Sequence, residues 1–143
     1  MRKATPEIAD LIYKQEAHDL TLPQAPVSTG HRFAPGVYLR SVFMPAGSRV
    51  IGHEHTTTHF NIVLSGKCQV IDGDKVVDIV APYVFVSEAG TKKILNIIED
   101  TIWATVHPTE ETDIPTLEST LVRKSKAYLE HHALQCPTSQ QLL

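Results

Sequence analysis

Cysteine is scarce in this sequence. There are two, Cys68 and Cys136, far apart and in no Cys-x-x-Cys pair. That excludes a disulfide-framed fold and the paired-cysteine spacings of zinc ribbons and thioredoxin-like sites. Cys68 falls in an alternating segment, which predicts a small buried hydrophobe, and Cys136 falls in a polar tail. Basic residues are not in excess: 13 Lys and Arg stand against 16 Asp and Glu, for a formal net charge of -3. Without a clustered basic surface, no nucleic-acid partner is expected. The apolar runs are too short to cross a bilayer, so no membrane partner is expected either. The opening MRKATPEIADLIY has positive residues but no apolar run behind them, so no export signal is read. A cytoplasmic protein with reduced thiols is the expectation. Internal repeats and low-complexity tracts are also missing.

What is present is an ordinary globular composition, 42% hydrophobic and 20% charged over 143 residues. One domain is the default at this length, and it can bury a core without covalent staples. Residues 5–18 predict a helix, with Thr5 as cap, Pro6 in the first turn, and Ile8, Leu11 and Ile12 as a narrow apolar stripe. Residues 20–36 are broken by Pro23, Pro26, Gly30, Pro35 and Gly36 and read as loop with one short strand, placing His31 and Arg32 on the surface.

From Val37 the pattern changes to short strands between turns. Eight are predicted: Val37–Met44, Ser48–His55, Phe60–Leu64, Lys67–Ile71, Lys75–Val80, Tyr83–Val86, Lys92–Ile98 and Thr101–Val106. Ser65-Gly66, Asp72-Gly73-Asp74 and Glu99-Asp100 read as turns between them. Eight strands with no helices between them predict an antiparallel sandwich or barrel. Residues 109–115 are polar and acidic, and Leu117, Leu121, Tyr128 and Leu129 then carry one helix to about His131. Lys124 and Lys126 are assigned to its solvated face. The organisation read is an N-terminal helix and arm over 1–36, a barrel over 37–108, and a C-terminal helix and tail over 109–143, one domain overall.

The chemistry concentrates in GSRVIGHEHTTTHFNIVLSG, Gly47 to Gly66. His53 and His55 are two apart, so an extended strand points both the same way, and His59 joins them if the strand turns back. Converging imidazoles suit a borderline metal. A lone His-x-His is more often surface or core, but the third histidine strengthens the metal reading. Parity places Asn61 and Val63 on the His59 face, and Phe60, Ile62 and Leu64 on a face expected to pack between sheets. It also places Trp103, Thr105 and His107 together, making His107 a candidate acid/base or fourth ligand, although a rim histidine before Pro108 is the plainer reading. Glu54, between two ligand candidates, should face away from them.

This pattern resembles the first motif of the cupin superfamily: Gly, five residues, His-x-His, three or four residues, Glu, six residues, Gly. Gly47, His53, Glu54, His55, His59 and Gly66 keep every spacing, with His59 where the family usually has glutamate. The second motif is matched less well. Ser87-Glu88-Ala89-Gly90-Thr91-Lys92-Lys93 aligns with it, Asn96 falls one residue early, and Lys93 stands where the family has its histidine ligand. The resemblance covers residues 36–108. It implies an all-β double-stranded β-helix, or jelly-roll barrel, with the terminal helices added, and it implies a homodimer.

Two readings of the site follow. In one, His53, His55 and His59 hold one divalent ion (Zn, Fe, Mn or Ni) with positions left open for water or substrate. In the other, metal binding is lost and the imidazoles with the Lys93 ammonium hold an anion. The first is preferred because histidine for glutamate keeps a ligand type. Asn61, Lys93 and Trp103 are the candidate ligand-binding residues, and His107 and Lys93 the catalytic candidates. Function stays open between a metal-dependent enzyme on a small polar or anionic molecule and a non-catalytic protein that binds or sequesters one. A structural role through the terminal helices is a third possibility. The chain is also similar in character to small cupin-like proteins encoded by bacteriophages, which favours the sequestering reading.

Overall fold

The computed structural model describes residues 1–72 and 75–135. The turn expected at Gly73-Asp74 and the tail holding Cys136 lie outside the described residues. The chain begins with helix α1 (Pro6–Asp19), capped by the Thr5 hydroxyl, which accepts from the Ile8 amide. Strands β1 (Ser28–Ala34), β2 (Val37–Met44), β3 (Arg49–Ile51), β4 (Glu54–His55), β5 (His59–Asp72), β6 (Lys75–Val80), β7 (Tyr83–Ser87) and β8 (Ile94–Pro108) follow. Helix α2 (Ile114–Thr120), strand β9 (Val122–Arg123) and helix α3 (Lys126–Gln135) close the described chain.

The architecture hangs on β5 and β8, which pair antiparallel along most of their length. β8 pairs with β2 through its C-terminal half and with β3 through its N-terminal half. β5 pairs with β7 through its N-terminal half and with β6 through its C-terminal half. β1 extends the sheet beyond β2, and β4 and β9 form a separate ribbon. This gives the double-stranded β-helix with short terminal helices expected of the fold.

Four expectations need correction. Four of the predicted strands are two long ones. Ser65-Gly66 is a bulge inside β5, with register shifts against β8 between Val63 and Cys68, and Glu99-Asp100 stays inside β8. Gly66 makes the bulge possible: its φ is +96°, and an added Cβ would lie 2.3 Å from the Asp100 carbonyl oxygen. The single C-terminal helix is two helices split by β9, because the Asp113 side chain caps a separate α2 and β9 pairs with β4. Phe60 and Leu64 do not pack between sheets; they are 54% and 55% exposed, while His59, Asn61 and Val63 point inward. The apolar stripe of α1 is also narrower than expected, since Ile12 is buried and Leu11 is exposed.

The core has two parts. Met44, Val63, Cys68, Val70, Ile79, Leu95, Ile97 and Trp103 form the larger part, which reaches the cavity wall at Met44, Leu95 and Trp103. Cys68 sits there with no exposure, and burial pushes its thiol up to about 11. Tyr38, Leu117, Leu121 and Val122 form the second part, which docks α2 and β9 against the sheet.

Candidate metal centre and ligand cavity

His55, His59 and His107 come from β4, β5 and β8, and one ring nitrogen of each lies within 4.8 Å of the others. β5 and β8 bring His59 and His107 to the same end of the barrel, because Phe60 is in register with Val106. β4 delivers His55 from the side, held by its pairing with Val122 of β9. The rings of His55 and His59 are 4.5 Å apart at the centroids, and each is 4.9 Å from that of His107.

His53 stands outside this group. The chain leaves β3 at Ile51 and re-enters a strand at Glu54, and the two segments pair with different partners. Alternation therefore does not carry from His53 to His55. The His53 ring packs edge-on against Tyr128 of α3 at 4.4 Å. Glu54 faces away, as expected: it accepts from the Tyr13 hydroxyl and pairs with Arg123 at 3.3 Å.

Local hydrogen bonds set the nitrogens of the group. His59 Nδ1 donates to the Thr57 carbonyl at 2.7 Å. That fixes the neutral tautomer with its lone pair on Nε2, and Nε2 is buried with no partner. His107 Nδ1 lies 3.3 Å from the Thr57 hydroxyl, and its Nε2 lies 3.1 Å from the Thr105 hydroxyl and 3.2 Å from His55 Nδ1. Thr57 thus touches two of the three rings.

Electrostatics keeps the imidazoles neutral. Burial, with His59 and nearby cations adding to it, lowers His107 to about 4. Burial also lowers His55 strongly, reinforced by His59 and Lys93, and it lowers His59. His53 falls to about 3, through burial first and then Lys92. Neutral imidazoles are the form that ligates a metal. An orphaned buried Nε2 beside two further neutral rings fits a borderline divalent cation.

A cavity of about 590 Å³ opens beside the group. His55, Lys93, Trp103, Thr105 and Arg40 line its inner wall. Arg40 and Val42 of β2 are in register with Thr105 and Trp103 of β8, so one patch of sheet supplies both polar and aromatic lining. Lys93 Nζ is 5.6 Å from the Trp103 ring centroid, and burial lowers it to about 8. Asn61 is not free in the cavity: its amide donates to Ser87 Oγ at 2.8 Å and its oxygen accepts from Trp103 Nε1 at 2.9 Å. It braces β5 against β7 and β8. Lys124 is not on a solvated face. It lines the cavity and pairs with Glu118 at 3.5 Å, while Lys126 is exposed.

Sequence reasoning missed Arg40 and Thr57. Arg40 carried a signal: it is a charge on the inward parity of Tyr38, Val42 and Met44. Thr57 carried none, since its role comes from a bend between β4 and β5.

No family model matches the sequence, and no curated protein matches it. Solved structures do match in fold. A cupin superfamily protein of Desulfitobacterium hafniense superposes with a TM-score of 0.51 at 14% identity, covering 64% of this chain and 85% of that one. The EutQ protein of Clostridium difficile gives 0.51 at 15% identity, covering 64% and 69%. A cupin-2 domain protein of Shewanella frigidimarina gives 0.49 at 17% identity, covering 68% and 92%. The barrel that carries the three histidines is, in its fold, a cupin.

Proposed function

We propose that this protein binds one divalent metal ion through His55, His59 and His107 and holds a small polar or anionic molecule in the adjoining cavity. The observation that carries the reading is the convergence of three neutral imidazoles, one with an unpartnered buried nitrogen. Three neutral ligands leave the charge of a bound zinc, iron, manganese or nickel ion available to polarise a ligand. The chain's own residues do the rest. Thr57 orients two rings, Trp103 and Thr105 shape the wall, and Lys93 presents a cation.

One observation favours a binder over an enzyme. Glu16, Asp19 and Glu118, the carboxylates lining the cavity among the described residues, are all in ion pairs. A carboxylate general base is therefore not to hand, which leaves the neutral His53 imidazole, with Nδ1 unpartnered at the cavity, as the base an enzyme would use.

A homodimer is part of the same proposal. Phe60, Leu64, Val84 and Val86 are exposed on the outer faces of β5 and β7, and a contiguous apolar patch of this kind suits a second copy.

Elemental analysis of the purified protein tests the metal. About one ion per chain is expected, and a His55→Ala/His59→Ala double variant should lose it. No metal after reloading the wild type would overturn the assignment.

A further inference from the structure

The protein is acidic overall, but its cavity is not. Two of the ion pairs at the cavity are closed: Arg49 meets Asp19 at 2.6 Å, and Lys92, just behind the wall, meets Glu16 at 3.2 Å. The remaining charges do not balance. Arg40 and Lys124 share one carboxylate, Glu118, at 3.4 and 3.5 Å. Lys93 has no carboxylate within 4 Å and no hydrogen bond among the described residues. Among the side chains the local surplus is two positive charges, one from the shared carboxylate and one from Lys93, and a divalent ion on the histidines would add to it.

Arg40 gives a second, independent sign. It is 8% exposed, lines the cavity, and its Nε has no hydrogen-bond partner. A buried guanidinium with an unused donor is costly unless something else accepts from it. Its carboxylate partner, Glu118, comes from α2 and meets it through Nη2 alone, at 3.4 Å. Lys93, lowered to about 8, still keeps its proton at neutral pH. The volume is in the range of small-molecule sites, which run roughly 300–1,000 Å³.

We propose that the cavity takes a small dianion, a dicarboxylate or a phosphate, anchored by the Arg40 guanidinium and the Lys93 ammonium. This deepens the ligand half of the reading above and does not depend on which metal is bound. Guanidinium and ammonium divide the work: the planar fork of Arg40 fixes the orientation of one anionic group, and the point charge of Lys93 neutralises the other. Trp103 and Val42 pack the carbon skeleton between them. A monoanion leaves one cation uncompensated, and a neutral molecule leaves both.

Calorimetric titration of the full chain tests this, with metal content measured on the same samples. The probes are succinate, inorganic phosphate, butyrate and 1,4-butanediol, at low and high salt. Succinate or phosphate should bind at least about tenfold more tightly than butyrate, the diol should not bind, and salt should weaken the dianions most. Whichever dianion is tighter names the source. Arg40→Gln and Lys93→Met should each cost about tenfold for the dianion and leave metal content unchanged. Wild type that binds butyrate as well as succinate and phosphate overturns the dianion proposal, whether or not the variants fold. If metal is absent while the dianion preference holds, the metal reading fails and this one stands. If metal is present and the preference is missing, the reverse is true.

Discussion

Lys92 and Lys93 are neighbours in the chain and belong to two regions with opposite treatments of charge. Lys92 points to the seam under α1. There its Nζ lies 3.2 Å from both Glu16 oxygens, donates to the Gly52 carbonyl at 3.1 Å, and sits over the Tyr13 ring. Lys93 points into the cavity, where Trp103 is its neighbour and no carboxylate reaches it. Lys92 is buried and Lys93 half-buried, and burial lowers both. The seam gives its lysine an ion pair and a carbonyl acceptor, and it holds a helix in place. The cavity wall leaves Arg40 Nε and His53 Nδ1 without hydrogen-bond partners and Lys93 without an ion-pair partner among the described residues, and His59 Nε2 is unpartnered beside it. A fold that can pair Lys92 this fully is not short of carboxylates, so the unpaired groups next door mark a place kept for something else.

The largest expected effect tests the seam. Lys92→Met strands the buried Glu16 carboxylate, and removing one member of such a pair costs about 3–5 kcal/mol. Urea unfolding would measure it, and a loss under about 1 kcal/mol would mean the seam is not held by this pair.

Acid separates the two regions next. For metal-free protein, the imidazoles of the unfolded chain take protons near 6.5, while burial holds His107 at about 4 and His53 at about 3. Between those values the unfolded state binds more protons, so stability falls as pH drops from 6.5 toward 3. The seam responds later. Burial pushes the Asp19 carboxyl up, but hydrogen bonds from Arg49 and Gln15 outweigh it and hold the group below its usual 3.8, so its contribution is present above that value and lost below it. Stability measured from pH 7 to 3 should therefore begin to fall near 6.5, with a shallower slope in His107→Gln. A flat profile down to pH 4 would show that the cavity histidines are not held neutral by burial.

Thr57→Val removes the hydroxyl beside His107 and keeps the carbonyl that binds His59. Losing an orienting contact of this kind costs about 10–100-fold in metal affinity, with little change in fold stability. Competition against a chelator would read it, and unchanged affinity would remove Thr57 from the site.

The smallest effect mirrors the first. Lys93→Met, one residue from Lys92, removes a desolvated cation with no partner, so ligand-free stability should hold or rise rather than fall. A cost like that of Lys92→Met would mean that Lys93 is structural, and the comparison would collapse.

Much of the fold was legible before the structure. β2 and β6 run over the predicted residues because each is an uninterrupted strand-forming run between strong turn signals. β5 and β8 were read as broken because Ser65-Gly66 and Glu99-Asp100 have turn composition. Composition cannot distinguish a turn that reverses the chain from a bulge that stays in the ladder. The site was legible where alternation held. It gave the inward set of β5, and it put His107 beside Trp103 and Thr105 on β8. It failed at Gly52-His53, where the backbone leaves the strand, and it is silent on Thr57, whose contacts are made through a loop. Arg40 was visible as an inward charge but has no meaning until Glu118, Lys124 and Lys93 are seen around it.

The two faces of β5 carry a consequence for changes of chain length. Its inward residues hold the metal candidate and the Asn61 brace, and its outward residues make the apolar patch. Deleting or inserting one residue between His59 and Val63 would turn both sets around together, placing an imidazole in water and a phenylalanine in the cavity. The bulge at Gly66 ends the segment that such a change can shift, because β5 pairs with β6 in its own register beyond it. Substitutions in this stretch act on one face at a time, but a single codon gained or lost acts on both.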